Sequence, residues 1–257
     1  MSRIHGSKDF WIAALRADGG AFLGTIGESG ALTARVPSCP DWTVGELTRH
    51  LGSFYRRIRL NAGSAAADEA WGPIVVPDEA PPADDPSVVA WFDSELAQID
   101  AFLEALDPDV PAWNWAPRGR VAMFWHRRAA HETAIHRWDA QLATRLPEPI
   151  EGKLAADTVT EALDTFLAAG RRRTPGEATG LIHLTASDVG QEWYIRLRGL
   201  GVALLDTDTL LDDDAHPARA AASGSASDLA LALWGRVAFD VVDTAGDPAL
   251  LDALRVR

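Results

Sequence analysis

The sequence predicts a four-helix bundle followed by a small domain of mixed α+β structure. Four long segments with apolar residues at helical spacing lie in the first part of the chain, and two short alternating runs typical of a β-hairpin follow them. The run LPEPIEG, with Pro147 and Pro149, separates the two patterns. We therefore predict a bundle over residues 1–148 and an α+β domain over residues 149–257.

The first two predicted helices differ in how clearly the sequence marks them. The first covers residues 7–27, where the Gly19-Gly20 pair weakens the helical pattern and leaves a break open. The second begins at Thr43, because Thr43 and Glu46 have the spacing of a capping box. Its predicted inward positions are Val44, Leu47, Leu51, Phe54 and Ile58.

The third and fourth helices follow a long connection. Residues 61–86 hold five of the fifteen prolines together with small and acidic residues, which predicts a loop that can cover a site. The third helix is predicted from Ser87 to Leu106, and the fourth over residues 121–144 has the most regular pattern in the chain. The predicted stripe of the fourth helix consists of Phe124, Arg128, His131, Ile135, Trp138 and Leu142.

The C-terminal domain is predicted from a mixture of helical and strand patterns. Residues 152–169 predict a helix, and the alternating runs that flank the turn residues DVGQ predict a hairpin. A third strand is predicted around residues 202–206. Ser225 begins another helix, because Asp228 follows it at capping-box spacing, and a short helix is predicted at the end of the chain.

The composition is that of an acidic globular protein. The chain has 24 Lys and Arg residues against 37 Asp and Glu residues, which gives a formal net charge of -13. This charge disfavours duplex nucleic acid and anionic membrane surfaces as partners, since both are negatively charged. Cys39 is the only cysteine, and no stretch approaches the roughly 20 apolar residues that span a bilayer. We predict a cytoplasmic protein without an internal disulfide, and the oligomeric state stays open.

Three side chains of the bundle are candidates for a metal site. Glu132 and His136 are four residues apart on the fourth helix and share a face, with Asp139 three residues further along it. His50 lies at the inward edge of the second helix and is the candidate third ligand. One carboxylate oxygen and two imidazole nitrogens suit zinc or another divalent transition metal, and they leave a position open for water or a thiol.

The same residues also allow simpler roles. A Glu and a His at this spacing often share a solvated helix face without binding a metal, and a His at an apolar edge is often a hydrogen-bonded core residue. Cys39 has no His near it in the sequence, so it is not a predicted nucleophile. The residues alone therefore leave open a non-catalytic protein that binds a small ligand.

Three segments resemble the mycothiol-dependent maleylpyruvate isomerase family. They are VPSCPDWTVGELTRHLG, HETAIHRWD and SGSASDLALALWGR, and they extend from residue 36 to residue 236. The resemblance implies a DinB-like four-helix bundle followed by a sterol-carrier-like α+β domain. It also implies that His50, Glu132 and His136 bind zinc and that mycothiol is the thiol cofactor.

The resemblance further implies a reaction. The thiol of mycothiol would become a thiolate at the ion and attack an electrophilic carbon of a small-molecule substrate. An isomerase would then expel the thiol, whereas a transferase would release the adduct. An anionic ligand needs a cation, for which Arg236 is the candidate catalytic residue and Arg56 and Arg57 are candidates for cofactor binding. A salt bridge is the alternative role of Arg236, and a metal protein that uses a different thiol is the remaining alternative function.

Overall fold

The chain forms two compact units, Gly6–Glu148 and Pro149–Arg257. The first unit is helical and the second combines helices with a sheet, so the predicted fold class is confirmed. The computed structural model describes residues 6–63, 78–117, 119–171, 178–199, 201–205 and 219–256.

Four long helices build the first unit around an apolar core. The ring of Phe92 packs against those of Phe22 and Tyr55, with centroids 4.8 and 5.8 Å apart, and all three side chains are fully buried. A 3-10 turn at Ala31–Thr33 precedes the second helix. The helices are α1 (Lys8–Ile26), α2 (Val44–Gly63), α3 (Ser87–Ala105) and α4 (Met123–Thr144).

Helix α1 runs unbroken through its glycine pair. The break that the sequence left open at Gly19 and Gly20 is therefore absent. Gly19 is buried, and a Cβ atom at this position would lie 2.6 Å from Cδ1 of Leu96 on α3. The glycine thus serves the close approach of two helices. Arg16 also joins α1 to α3 through a 2.8 Å ion pair with Asp100.

The capping box predicted at the start of α2 is confirmed. The Glu46 N–H donates to Oγ1 of Thr43 at 3.2 Å, and the Thr43 N–H donates to Oε2 of Glu46 at 2.6 Å. The predicted inward positions are fully buried except Phe54, which is half-buried. Tyr55 is fully buried instead. Residues four apart lie on the same face of a helix, so the position after Leu51 on the buried face is residue 55.

Helix α4 is buried on nearly all sides. Every residue from Trp125 to Gln141 is buried except Glu132, whereas the sequence predicted one buried stripe and one solvated face. Alanines permit this close packing, and buried charges find partners, as Arg137 does with Asp18 at 2.9 Å. Of the predicted loop over residues 61–86, residues 64–77 lie outside the described part of the chain.

The second unit is built on a five-stranded sheet. Helix α5 (Gly152–Glu161) continues into a π-helical segment (Ala162–Leu167) and precedes the first strands. The strand order is β3-β2-β1-β4-β5, with β1 and β4 parallel and the other neighbours antiparallel. The remaining elements are β1 (Thr179–Ala186), β2 (Gln191–Arg198), β3 (Gly201–Leu205), β4 (Arg219–Gly224), α6 (Ala226–Leu233), β5 (Asp243–Gly246) and α7 (Pro248–Asp252).

The predicted local signals of the second unit also hold. The hairpin is β1–β2, and the predicted third strand is β3. The Asp228 N–H donates to Oγ of Ser225 at 3.0 Å, which caps α6 as predicted. Within the described residues, no helix has the length and apolar character needed to cross a membrane.

Candidate metal centre

Side chains from α2 and α4 meet at one point in the bundle. The Nε2 atom of His50 lies 3.2 Å from Oε1 of Glu132, and Nε2 of His136 lies 3.3 Å from the same oxygen. All three ligand atoms lie within 4.8 Å of one another. The structure thus brings together the three side chains selected from the sequence, although His50 and Glu132 are 82 residues apart.

Local structure explains how these side chains come to face one another. Helix α4 places Glu132 and His136 one turn apart on one face. On α2, the capping box at Thr43 fixes where the helix begins and therefore the direction in which His50 points. The ring of Trp42, next to the cap, lies with its centroid 4.8 Å from that of His50 and restricts the imidazole.

The other ring nitrogen of His136 contacts a buried carboxylate. Nδ1 lies 2.9 Å from Oδ2 of Asp139, whose side chain is fully buried. An ionised carboxylate only accepts hydrogen bonds, so Nδ1 donates and Nε2 faces Glu132. The hydroxyl of Ser38 donates to Oδ1 of Asp139 at 2.5 Å. This hydrogen-bonded chain fixes the ring, in the way that carboxylates behind metal-bound histidines do.

The charges around the cluster determine its protonation. Burial acts to raise the pKa of Glu132, but the charge of Arg128 and hydrogen bonds from His136 and His50 hold that pKa well below its ordinary value. Burial lowers the pKa of His50 more than its hydrogen bond to Glu132 raises it. For His136, burial acts to lower the pKa, but hydrogen bonds to Asp139 and Glu132 raise it overall. The cluster therefore offers an ionised carboxylate and a neutral His50.

The donor set fits a divalent transition metal. Two imidazole nitrogens and one carboxylate oxygen are the ligand types of zinc sites that keep a position open. The side chains of His50 and Glu132 retain 29% and 15% of their exposure, so an ion and a small molecule can reach the cluster. In the described part of the chain, no other three His, Cys, Asp or Glu side chains converge in this way.

The two neighbouring arginines of α2 have different surroundings. Arg56 pairs with Glu79 at 2.5 Å, and its Nε lies 3.8 Å from Glu95. Arg57 is half-buried, two turns after His50, and forms no ion pair with the described residues. Its charge acts to lower the pKa of His50, so the guanidinium acts electrostatically on the cluster. Of the two candidates for anion binding, Arg57 is the one that pairs with no carboxylate in the described part of the chain.

Arg236, Cys39 and His126 lie in other surroundings. Arg236 belongs to the second unit, where its Nη1 donates to the carbonyl of Trp234 at 3.0 Å. Cys39 is half-buried beside the apolar core of the bundle. His126 is buried with its ring nitrogens 3.0 and 2.9 Å from two backbone carbonyls, which is a structural role.

The sequence did not predict the contacts that two further residues make around the cluster. Arg128 lay in the predicted apolar stripe, yet its Nη2 pairs with Oε2 of Glu132. Its spacing of four residues from Glu132 is the signal that could have identified it. Ser38 lies in the connection before α2, 101 residues from Asp139. No local sequence pattern could therefore predict the hydrogen bond between these two side chains.

Known families match the two units separately. The family model of the mycothiol maleylpyruvate isomerase N-terminal domain matches residues 12–141, and that of the MDMPI C-terminal domain matches residues 153–253. Two solved structures are similar over 95% of this chain and 96% of theirs, both at 14% identity. One is the mycothiol-dependent maleylpyruvate isomerase, with a TM-score of 0.64, and the other is a mutant of that enzyme, with 0.60. No curated protein matches the chain.

The fold and the cluster define a class of two-unit proteins in which an N-terminal helical bundle carries a His–Glu–His cluster and an α+β unit follows. The matched segments cover most of both units. The chain belongs to the mycothiol-dependent maleylpyruvate isomerase family. The solved structures confirm the shared fold.

Proposed function

We propose that this protein is a zinc-dependent enzyme that uses mycothiol as its thiolate nucleophile or cofactor, in a reaction like that of maleylpyruvate isomerase or of a thiol S-transferase. Another divalent transition metal would fill the same role. The observation that carries the proposal is the convergence of His50, Glu132 and His136, with ligand atoms within 4.8 Å, in a chain of this family. A reduced thiol cofactor agrees with the cytoplasmic setting predicted from the sequence.

Each residue of the cluster would have its own role in binding the ion or the thiol. His50, Glu132 and His136 would hold the ion through two nitrogens and one oxygen. A zinc ion held there would supply one effect, a lower pKa of a thiol ligand, so that the thiolate would be present at neutral pH. Asp139 keeps a proton on Nδ1 of His136 and so directs Nε2 toward the cluster. Partial exposure of His50 gives the thiol a path to this point.

The substrate class follows from the charges beside the cluster. A carbon made electrophilic by conjugation to a carbonyl accepts a thiolate, and a substrate that also bears a carboxylate brings negative charge with it. Arg57 is half-buried two turns from His50 and is the first candidate to bind such an anion. Arg56 is the weaker candidate because it already pairs with Glu79, and Arg236 remains the candidate catalytic cation of the second unit.

The isomerase and transferase reactions share their first chemical step. In both, the thiolate forms a C–S bond with the electrophilic carbon. In the isomerase, rotation about the former double bond is followed by cleavage of the C–S bond, which returns the thiol. In the transferase, the neighbouring carbon of the former double bond, which received its electron pair, takes up a proton and the adduct leaves. The proposal therefore rests on thiolate formation, and product analysis assigns one reaction or the other.

The test combines metal analysis with thiol chemistry on protein purified without a chelator or a metal-affinity tag. We expect about one divalent ion per chain and mycothiol-dependent conversion of maleylpyruvate or conjugation of an electrophile. The His136→Ala variant should lose both, whereas His183→Ala, a half-exposed histidine of β1, should keep both. A parent protein without a stoichiometric transition metal would support the non-catalytic ligand-binding alternative, and one that holds the ion but does not use mycothiol would favour a metal protein that uses a different thiol. Retention of zinc and activity by His136→Ala would refute the assignment.

A further inference from the structure

The two oxygens of the Glu132 carboxylate have different partners. Oε1 faces Nε2 of His50 and Nε2 of His136 at 3.2 and 3.3 Å. Oε2 instead pairs with Nη2 of Arg128, one turn earlier on α4. The Arg128 side chain is only 4% exposed, so water does not replace this contact easily. One carboxylate oxygen therefore faces the imidazoles and the other faces a guanidinium.

We propose that Arg128 is a positioning residue that holds Oε2 of Glu132 and leaves Oε1 as the carboxylate oxygen presented to the metal ion. This inference rests on the proposed function, since it concerns the same cluster. A carboxylate can bind a divalent ion through one oxygen or through both. Occupying Oε2 with a guanidinium favours the first mode, which uses one fewer position on the ion. The position that is kept can then accept the thiol sulfur.

Helix stability alone does not account for this ion pair. A pair at i,i+4 stabilises a helix more when the acidic residue precedes the basic one, and here Arg128 precedes Glu132. Burial of an ion pair also adds little net stability, because both groups lose their hydration. The pair does have a defined geometric effect on the cluster, because it holds Oε2 of Glu132 while Oε1 faces the two imidazoles. A carboxylate held in one orientation is what a metal ligand requires.

The experiment measures zinc affinity by competition with a chromogenic chelator, for the parent and for Arg128→Gln. Loss of a group that orients a metal ligand typically weakens binding by roughly 10- to 100-fold, and we expect a loss in this range. The matched control is Arg59→Gln, which removes a guanidinium 2.7 Å from Glu95 at a carboxylate outside the cluster. Its zinc affinity should equal that of the parent, even where its unfolding temperature falls.

A second readout separates orientation from simple loss of charge. The visible absorption spectrum of the cobalt-loaded protein reports the number of groups around the ion, and Arg128→Gln should shift it toward a higher coordination number as Oε2 becomes available. Arg128→Lys keeps the charge but offers a compact ammonium instead of a planar guanidinium. We expect Arg128→Lys to bind zinc more tightly than Arg128→Gln but less tightly than the parent. If Arg128→Gln does not fold, the zinc affinity of Arg128→Lys is compared with that of the parent instead.

The outcomes distinguish this inference from the proposed function. If the parent binds zinc and both Arg128 variants bind it equally well with the parent cobalt spectrum, Arg128 is only structural and the proposed function stands. If the parent itself binds no zinc, the proposed function fails at its metal and this inference fails with it. Weaker binding in the Arg128 variants, with an unchanged Arg59→Gln control, supports the assignment.

Discussion

Two His–Glu pairs in this molecule have opposite surroundings. In the bundle, His136 and Glu132 are 6% and 15% exposed, and the imidazole of His50 joins them. In the sheet, His183 and Glu192 lie 3.5 Å apart on neighbouring strands and are 38% and 48% exposed. The residue types are the same and the N···O distances, 3.3 and 3.5 Å, are similar, yet among the described residues a third candidate ligand joins only the bundle pair. Burial and convergence, rather than residue type, mark the candidate site.

The largest expected effect is the loss of metal from the bundle pair when its carboxylate is neutralised. Glu132→Gln keeps the shape of the side chain but removes its charge, so we expect the purified protein to hold no stoichiometric zinc and to lose thiol chemistry. The matched change in the sheet, Glu192→Gln, should leave both unchanged. Elemental analysis of the two variants checks the comparison, and a zinc-loaded Glu132→Gln protein would contradict it.

A smaller effect is expected one step away from the ion. Asp139→Asn replaces a carboxylate that accepts from Nδ1 of His136, so the preferred ring proton position is no longer imposed. We expect zinc affinity to fall by roughly 10- to 100-fold. Ser38→Ala, which removes only the donor to Asp139, should cost less than Asp139→Asn. Chelator competition on both variants tests this order, and the reverse order would exclude the hydrogen-bonded chain described here.

The next effect concerns the substrate rather than the metal. Arg57→Gln should raise KM for a carboxylate-bearing electrophile by about tenfold, the consequence of losing a hydrogen bond to a charged group. Zinc content should stay the same. Arg16→Gln on α1 removes the same charge from a residue that pairs with Asp100 and serves as the control. An equal KM in Arg57→Gln and the parent would assign anion binding to another residue.

The smallest effect is expected at the exposed pair. His183 stacks on Tyr194, with ring centroids 4.3 Å apart, and contacts Glu192 on the sheet. Exposed ion pairs of this kind contribute about 0–1 kcal/mol, so His183→Ala should change the free energy of unfolding by no more than that. Urea denaturation measures the change. A loss of several kcal/mol would show that the sheet pair is less like a surface contact than its exposure indicates.

Local signals in the sequence predicted much of the fold. The capping boxes at Thr43 and Ser225 gave the starts of α2 and α6, and the alternating runs gave the β1–β2 hairpin. These features depend on neighbouring residues only. At Gly19 the local signal was misleading, because the space that a glycine leaves is filled by Leu96 of another helix.

The candidate site shows the same division between local and distant information. Glu132 and His136 could be paired from their spacing, and His50 could be placed at an inward edge of α2. The burial of the whole α4 helix could not be predicted, since it depends on how closely α1 and α2 pack around its alanines. The contact of Ser38 with Asp139 depends on a chain separation of 101 residues and had no signal.

The three candidate ligand atoms come from two different helices, so binding of a metal ion would depend on the chain being folded. Under the proposed function, one cation would be held by His50 of one helix and by Glu132 and His136 of another, so it would stay bound only while those helices are in contact. At a free concentration one hundred times its dissociation constant, such a ligand adds about 2.7 kcal/mol to the folded form. Loss of zinc from such a site would therefore lower the stability of the folded chain as well as its activity, so the metal-free chain would unfold more often and be degraded sooner by proteases.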